Sequence, residues 1–151
     1  MPEPVFLAIT GRPAFFFVLV FIILVIFPLI FYLLTLQRTL KEISPKNRKM
    51  PPEQVWLSLI PLFGIIWQYF IVSRLSDSLA LELTKRNVYA DERRPAYNIG
   101  MAYCILISAV IIPYINILAL LGGLVCWVLF WLKVNDYRML LLDNPGKYLE
   151  I

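Results

Sequence analysis

Histidine is absent from all 151 residues. That single gap removes the commonest general base, metal ligand and haem axial ligand together. Charge is also scarce, at 16% of residues where a soluble domain carries about 25%. It is missing altogether from four long runs, residues 14–36, 55–72, 97–112 and 114–132. Ionisable side chains at membrane depth mark proton relays and ion paths, and these runs supply none. The two cysteines, Cys104 and Cys126, sit inside apolar runs. A secreted disulfide framework is therefore unsupported, and two thiols alone lack the further ligands a metal requires, so both read as small packing residues. No Gly-rich phosphate loop, nucleophile elbow or zinc spacing occurs, and Gly122-Gly123 falls within an apolar run. The carboxylates Asp77, Glu82, Asp91, Glu92 and Asp136 each have a basic residue within four positions, which reads as a solvated or salt-bridged face. No enzymatic activity, cofactor or metal is expected from this inventory.

What is present is apolar: 60% of residues are hydrophobic and the mean hydropathy is +0.75. Residues 14–36 are 23 consecutive positions without a charge, closed by Arg38 and Lys41. At about 1.5 Å per residue such a helix is about 35 Å long, enough to cross a hydrocarbon core of about 30 Å with some tilt. Its length and basic stop read as a retained span instead of a cleaved leader. The pattern as a whole predicts a single all-α membrane domain with four apolar helical segments. The net charge of +4 is explained by basic loops facing an anionic leaflet, with no need for nucleic acid.

The first helix should continue beyond the bilayer along Leu36, Leu40 and Ile43 until Ser44-Pro45 stops it. A polar linker follows over residues 46–53. The run 55–72 contains Ile60-Pro61-Leu62-Phe63-Gly64, which reads either as a kink in a span or as the turn of a re-entrant hairpin. An amphipathic juxtamembrane helix follows over about 73–87. Leu75, Leu79 and Leu83 line one face, with Arg74, Asp77, Glu82, Lys85 and Arg86 on the others, and Glu82 pairs with Arg86 at i, i+4. The last two runs, separated by Pro113, form a tight antiparallel hairpin. Gly100, Cys104 and Ser108 on one arm, and Ala119 and Gly123 on the other, supply small residues every fourth position for close packing in lipid. Trp56 and Trp131 suit an interfacial aromatic belt.

Basic residues argue about topology. If all four runs cross, nine Lys and Arg share a side with the termini and five lie opposite. If 55–72 re-enters, thirteen lie on one side with the C-terminus and only Arg12 on the other. The positive-inside rule favours the second arrangement, with the C-terminus cytoplasmic. Arg74 with Asp77, and Lys133 with Asp136, form i, i+3 pairs where helices meet headgroups. They pair locally or exchange partners, Arg74 with Asp136 or Lys133 with Asp77, to clamp the two hairpins together. Lys46, Arg48 and Lys49 are candidates for holding lipid headgroups.

The block Asn47-Arg48-Lys49-Met50-Pro51, then Val55-Trp56-Leu57, Leu59-Ile60-Pro61-Leu62-Phe63, Ile66-Trp67-Gln68 and Ser73-Arg74-Leu75-Ser76-Asp77-Ser78-Leu79, resembles a family of small uncharacterised bacterial integral membrane proteins. The resemblance implies a bacterial inner membrane and assigns no functional residue. The function expected is a scaffold or accessory subunit of a larger membrane complex, bound to the bilayer and to other subunits or copies of itself. The alternatives are a homo-oligomeric channel or small-solute carrier lined by Gln68, Asn98, Ser108 and Asn116, and a lipid-headgroup-binding or lipid-modifying factor.

Overall fold

A computed structural model of the chain describes residues 13–145, and Arg12 and the last six residues lie outside them. Helices are the only regular elements among the described residues: α1 (Pro13–Glu42), a 3-10 helix (Pro52–Leu59), α2 (Phe63–Lys85), α3 (Tyr97–Ala109) and α4 (Asn116–Asp143). Contacts divide the chain into two units at residues 34 and 35.

The first unit, in its described part, is helix alone, and every side chain from Phe16 to Phe27 is exposed. Phenylalanine, leucine and isoleucine in that density have no reason to face water. A continuous helix satisfies its own backbone groups, which is what a hydrocarbon environment demands. Pro28 lies inside α1 without ending it.

The second unit begins with the last turns of α1, where Leu36, Leu40 and Ile43 are buried as their i, i+4, i+7 spacing predicts. Run 55–72 is not one helix. Pro61 disfavours helical geometry at the residue before it, and Ile60 is extended (φ −73°, ψ 118°). Phe63 N then donates to Pro61 O at 2.7 Å across Leu62, whose φ of 63° and ψ of −52° make a strained γ-turn. Gly64 is required directly after it, because a Cβ there would lie 2.0 Å from Ser58 O. The 3-10 helix thus folds back on the start of α2, tied by Trp67 Nε1 donating to Gln54 O at 2.8 Å.

α2 runs on through the amphipathic stretch with no break, so the juxtamembrane helix is its second half and not a separate element. It ends in a Schellman motif. Asn87 takes the left-handed conformation (φ 54°), with Val88 N bonding Leu83 O and Asn87 N bonding Thr84 O. α3 and α4 form the expected antiparallel hairpin, but both boundaries move. α3 stops at Ala109, before the Pro113 turn, and α4 continues past residue 132 to Asp143 by burying Val134 and Leu141. Two helices, Phe15–Glu42 and Asn116–Asp143, are long and apolar enough to cross a membrane. α3, with 13 residues, is about 20 Å long and falls short of that on its own.

Candidate functional site

The polar centre of the second unit is Glu82. It lies on the buried leucine face of α2 at 1% exposure, because it follows Leu75 and Leu79 at i+7 and i+3. Its Oε2 accepts hydrogen bonds from Ser44 Oγ (2.5 Å) and Asn47 Nδ2 (2.7 Å), and its Oε1 from Arg86 Nε (2.9 Å) and Nη2 (2.8 Å). Burial pushes the Glu82 carboxyl upward, but the bonds from Ser44, Asn47 and Arg86 and the Arg86 charge outweigh it, holding the group below its ordinary 4.5.

Arg86 extends the node to three other places in the chain. Its Nη1 donates to Leu141 O (2.7 Å) and Asn144 O (2.9 Å), and its Nη2 to Glu42 O (3.0 Å). One Glu–Arg pair therefore joins the C-terminal ends of α1, α2 and α4 and the loop after α1. Those carbonyls are the acceptors a helix end leaves open, and a cation is the group best suited to them. The i, i+4 spacing reveals the Glu82–Arg86 pair but points to a solvated face, whereas both side chains are buried. The missed signal is the spacing 75, 79, 82, 86, which continues the buried stripe. Ser44 and Asn47 carried no such signal.

The second polar layer corrects the expected juxtamembrane pairing. Asp77 binds Arg94 (2.7 Å), and Lys133 binds Glu92. Neither the local pairs with Arg74 and Asp136 nor their exchange forms. Arg74 instead lies 5.7 Å from the Phe70 ring centre, and Asp136 is exposed. The connection 88–96 supplies both partners because it is fixed close to the helices. Ser76 Oγ donates to Pro95 O (2.6 Å), and Glu92 Oε2 accepts from the backbone N of Ala96, a residue held at φ 60°. Arg94 also stacks 3.8 Å above Tyr97. These pairs tie α2 and α4 to the connection between residues 88 and 96.

Gly100 and Gly123 lie at close helix contacts. A Cβ on Gly100 would lie 2.6 Å from Val72 Cγ1 and 2.8 Å from the Phe130 ring, and one on Gly123 would lie 3.0 Å from Ile107. Cys104 and Ala119 are buried. Ser108 Oγ donates to Cys104 O (2.8 Å) and bonds Tyr69 OH (3.0 Å), linking α3 to α2. Of the residues considered for a polar path, Gln68 is buried and Asn98 exposed. Three indoles donate near the charged end, Trp56 to Gln37, Trp67 to Gln54 O and Trp131 to Thr35.

Among the headgroup candidates, Lys46 and Lys49 are exposed. Arg48 is partly structural, its Nη2 bonding Lys41 O (3.3 Å) and Ile43 O (3.0 Å) at the end of α1. Among the described residues no three His, Cys, Asp or Glu side chains gather to hold a metal ion. Comparison of the chain with protein-family models, with curated proteins and with solved structures finds no match in any of the three.

Proposed function

We propose that this chain is a non-enzymatic, multi-pass membrane protein of the bacterial inner membrane that serves as a scaffold or accessory subunit of a larger membrane complex. The observation that carries the reading is a division of labour in the fold. The polar groups at one end bond the chain's own loops and helix ends, while α4 leaves Leu118, Leu121, Val125 and Leu129 uncovered along its length. A stiff polar base with bare apolar helix faces suits a protein that presents those faces to other membrane helices.

The topology proposed is the re-entrant one. Ser44 and Asn47 precede residues 55–72 and Glu82 follows them, yet they hydrogen-bond directly, and contact between the two flanks supports a segment that enters and leaves by one face. From Phe63 to Ser73, α2 is about 16 Å deep, roughly half the hydrocarbon thickness. The tip residue Leu62 is 81% exposed, which suits a turn bathed in acyl chains. The basic loops and the C-terminus then share the cytoplasmic face.

The test is photocrosslinking in cells from positions 121 and 125, followed by native mass spectrometry from mild detergent. A stoichiometric foreign subunit crosslinked at these positions is the expected result. A lone monomer with no crosslinked neighbour refutes the scaffold role.

A further inference from the structure

The loop between α1 and the 3-10 helix borders an open cavity of about 350 Å³, lined by Arg48, Lys49 and Glu53 and walled by Pro45, Pro51 and Pro52. This loop has a fixed shape. Ser44 O accepts the backbone N–H groups of Asn47 (2.9 Å) and Arg48 (3.1 Å), and Lys49 N donates to Ser78 Oγ on α2 (2.8 Å). Met50 and Pro52 are buried beneath it. The cavity is therefore formed before any ligand arrives, which lowers the ordering cost of binding.

Its chemistry is specific. Arg48 is anchored through Nη2 on the carbonyls of α1, while its Nε is buried without a hydrogen-bond partner. The guanidinium charge is thereby held beside the cavity that Arg48 lines. Lys49 adds a second, exposed cation, and Glu53 an exposed carboxylate. Two cations beside one carboxylate complement a phosphodiester that carries its own ammonium. A headgroup with phosphate alone would leave Glu53 facing like charge. The position fits as well, since Glu53 lies three residues before Trp56, whose indole bonds Gln37 where the charge-free run of α1 has ended.

We infer that this cavity binds the headgroup of a zwitterionic aminoethyl phospholipid, with Arg48 and Lys49 on the phosphate and Glu53 on the ammonium. The inference rests on the membrane placement above but not on the scaffold role. It is tested with the full chain in vesicles containing equal phosphatidylethanolamine and phosphatidylglycerol, reading the lipids retained by native mass spectrometry during delipidation. The expected result is at least about threefold enrichment of phosphatidylethanolamine, abolished by Glu53→Gln, with retention of both lipids lowered about three- to tenfold by Lys49→Ala. Both side chains are exposed, so the melting curves of the variants should match the parent. An enrichment that survives Glu53→Gln overturns the assignment, as does retention indifferent to Lys49→Ala. Free phosphoethanolamine or inorganic phosphate at millimolar concentration should not displace the lipid, and displacement would reassign the site to a soluble phosphate compound. A parent protein that stays outside the vesicles would refute the membrane reading and this site with it.

Discussion

Replacing Glu82 by leucine should destabilise the second unit more than any other single polar substitution. The change strands the Arg86 guanidinium, whose side chain is only 7% exposed, takes the acceptor from Ser44 Oγ, and leaves Asn47 Nδ2 with only its longer bond to Ser44 Oγ at 3.2 Å. Removing one partner of a buried, hydrogen-bonded ion pair costs about 3–5 kcal/mol, because the remaining charge is left in a poorly solvating place. Arg86→Met should cost a similar amount, since it unpairs Glu82 and withdraws donors from Glu42 O, Leu141 O and Asn144 O. The double variant removes both charges, so it should be less damaging than the sum of the two by about 2–3 kcal/mol. The residual loss in the double variant is the unpaired carbonyls and the bonds that Ser44 and Asn47 made to Glu82. Reversible unfolding in mixed detergent micelles, followed by circular dichroism for the parent, both single variants and the double, gives all four corners of the cycle. Single losses below about 1 kcal/mol that simply add would match an exposed pair, and would refute the claim that this node joins the ends of α1, α2 and α4.

The same node sets the acid response. Glu82 is held below its ordinary 4.5, so its contribution is fully present above that pH and is lost as pH falls through the lower folded-state value; melting temperatures from pH 7 to pH 3 should drop steeply in the parent and less in Glu82→Leu. Gly100→Ala puts a Cβ against Val72 and Phe130 and should cost about 1–3 kcal/mol, partly restored by Val72→Ala. Gly122→Ala meets its nearest neighbour only at 3.4 Å and should stay within about 1 kcal/mol of the parent in the same unfolding assay. Asp77→Asn breaks a pair whose members are 44% and 38% exposed and should cost no more than about 1 kcal/mol.

The legibility of this chain follows the range of the forces involved. α1 could be read because a charge-free run and a Ser-Pro stop are local signals, and the helix ends at Glu42, two residues before Ser44. Small-residue spacing likewise placed Gly100 and Gly123 at close contacts. Residues 55–72 stayed ambiguous because apolar composition suits span and hairpin alike, and what decides the local geometry is an extended Ile60 before Pro61 and a γ-turn at Leu62. Partners across the connection 88–96 were out of reach. Arg94 and Glu92 reach Asp77 and Lys133 from a connection held by the Ser76–Pro95 and Glu92–Ala96 bonds, with Ala96 in a left-handed conformation for which an alanine gives no hint. Glu82 was misplaced for a related reason. A carboxylate on a leucine face is taken as solvated until the four hydrogen bonds that hold it are known, and two of those come from a loop 35 to 38 residues away.

The most direct measurement is the sidedness of the two flanks of residues 55–72. Lys46→Cys and Tyr89→Cys, each placed singly in a Cys104→Ala and Cys126→Ala background, are exposed positions on either side of that segment. Labelled with a membrane-impermeant maleimide in right-side-out and inverted vesicles, both should react in the same preparation, because Ser44 and Asn47 touch Glu82. Reaction of the two in opposite preparations would mean that the segment crosses the membrane and that the node does not form there.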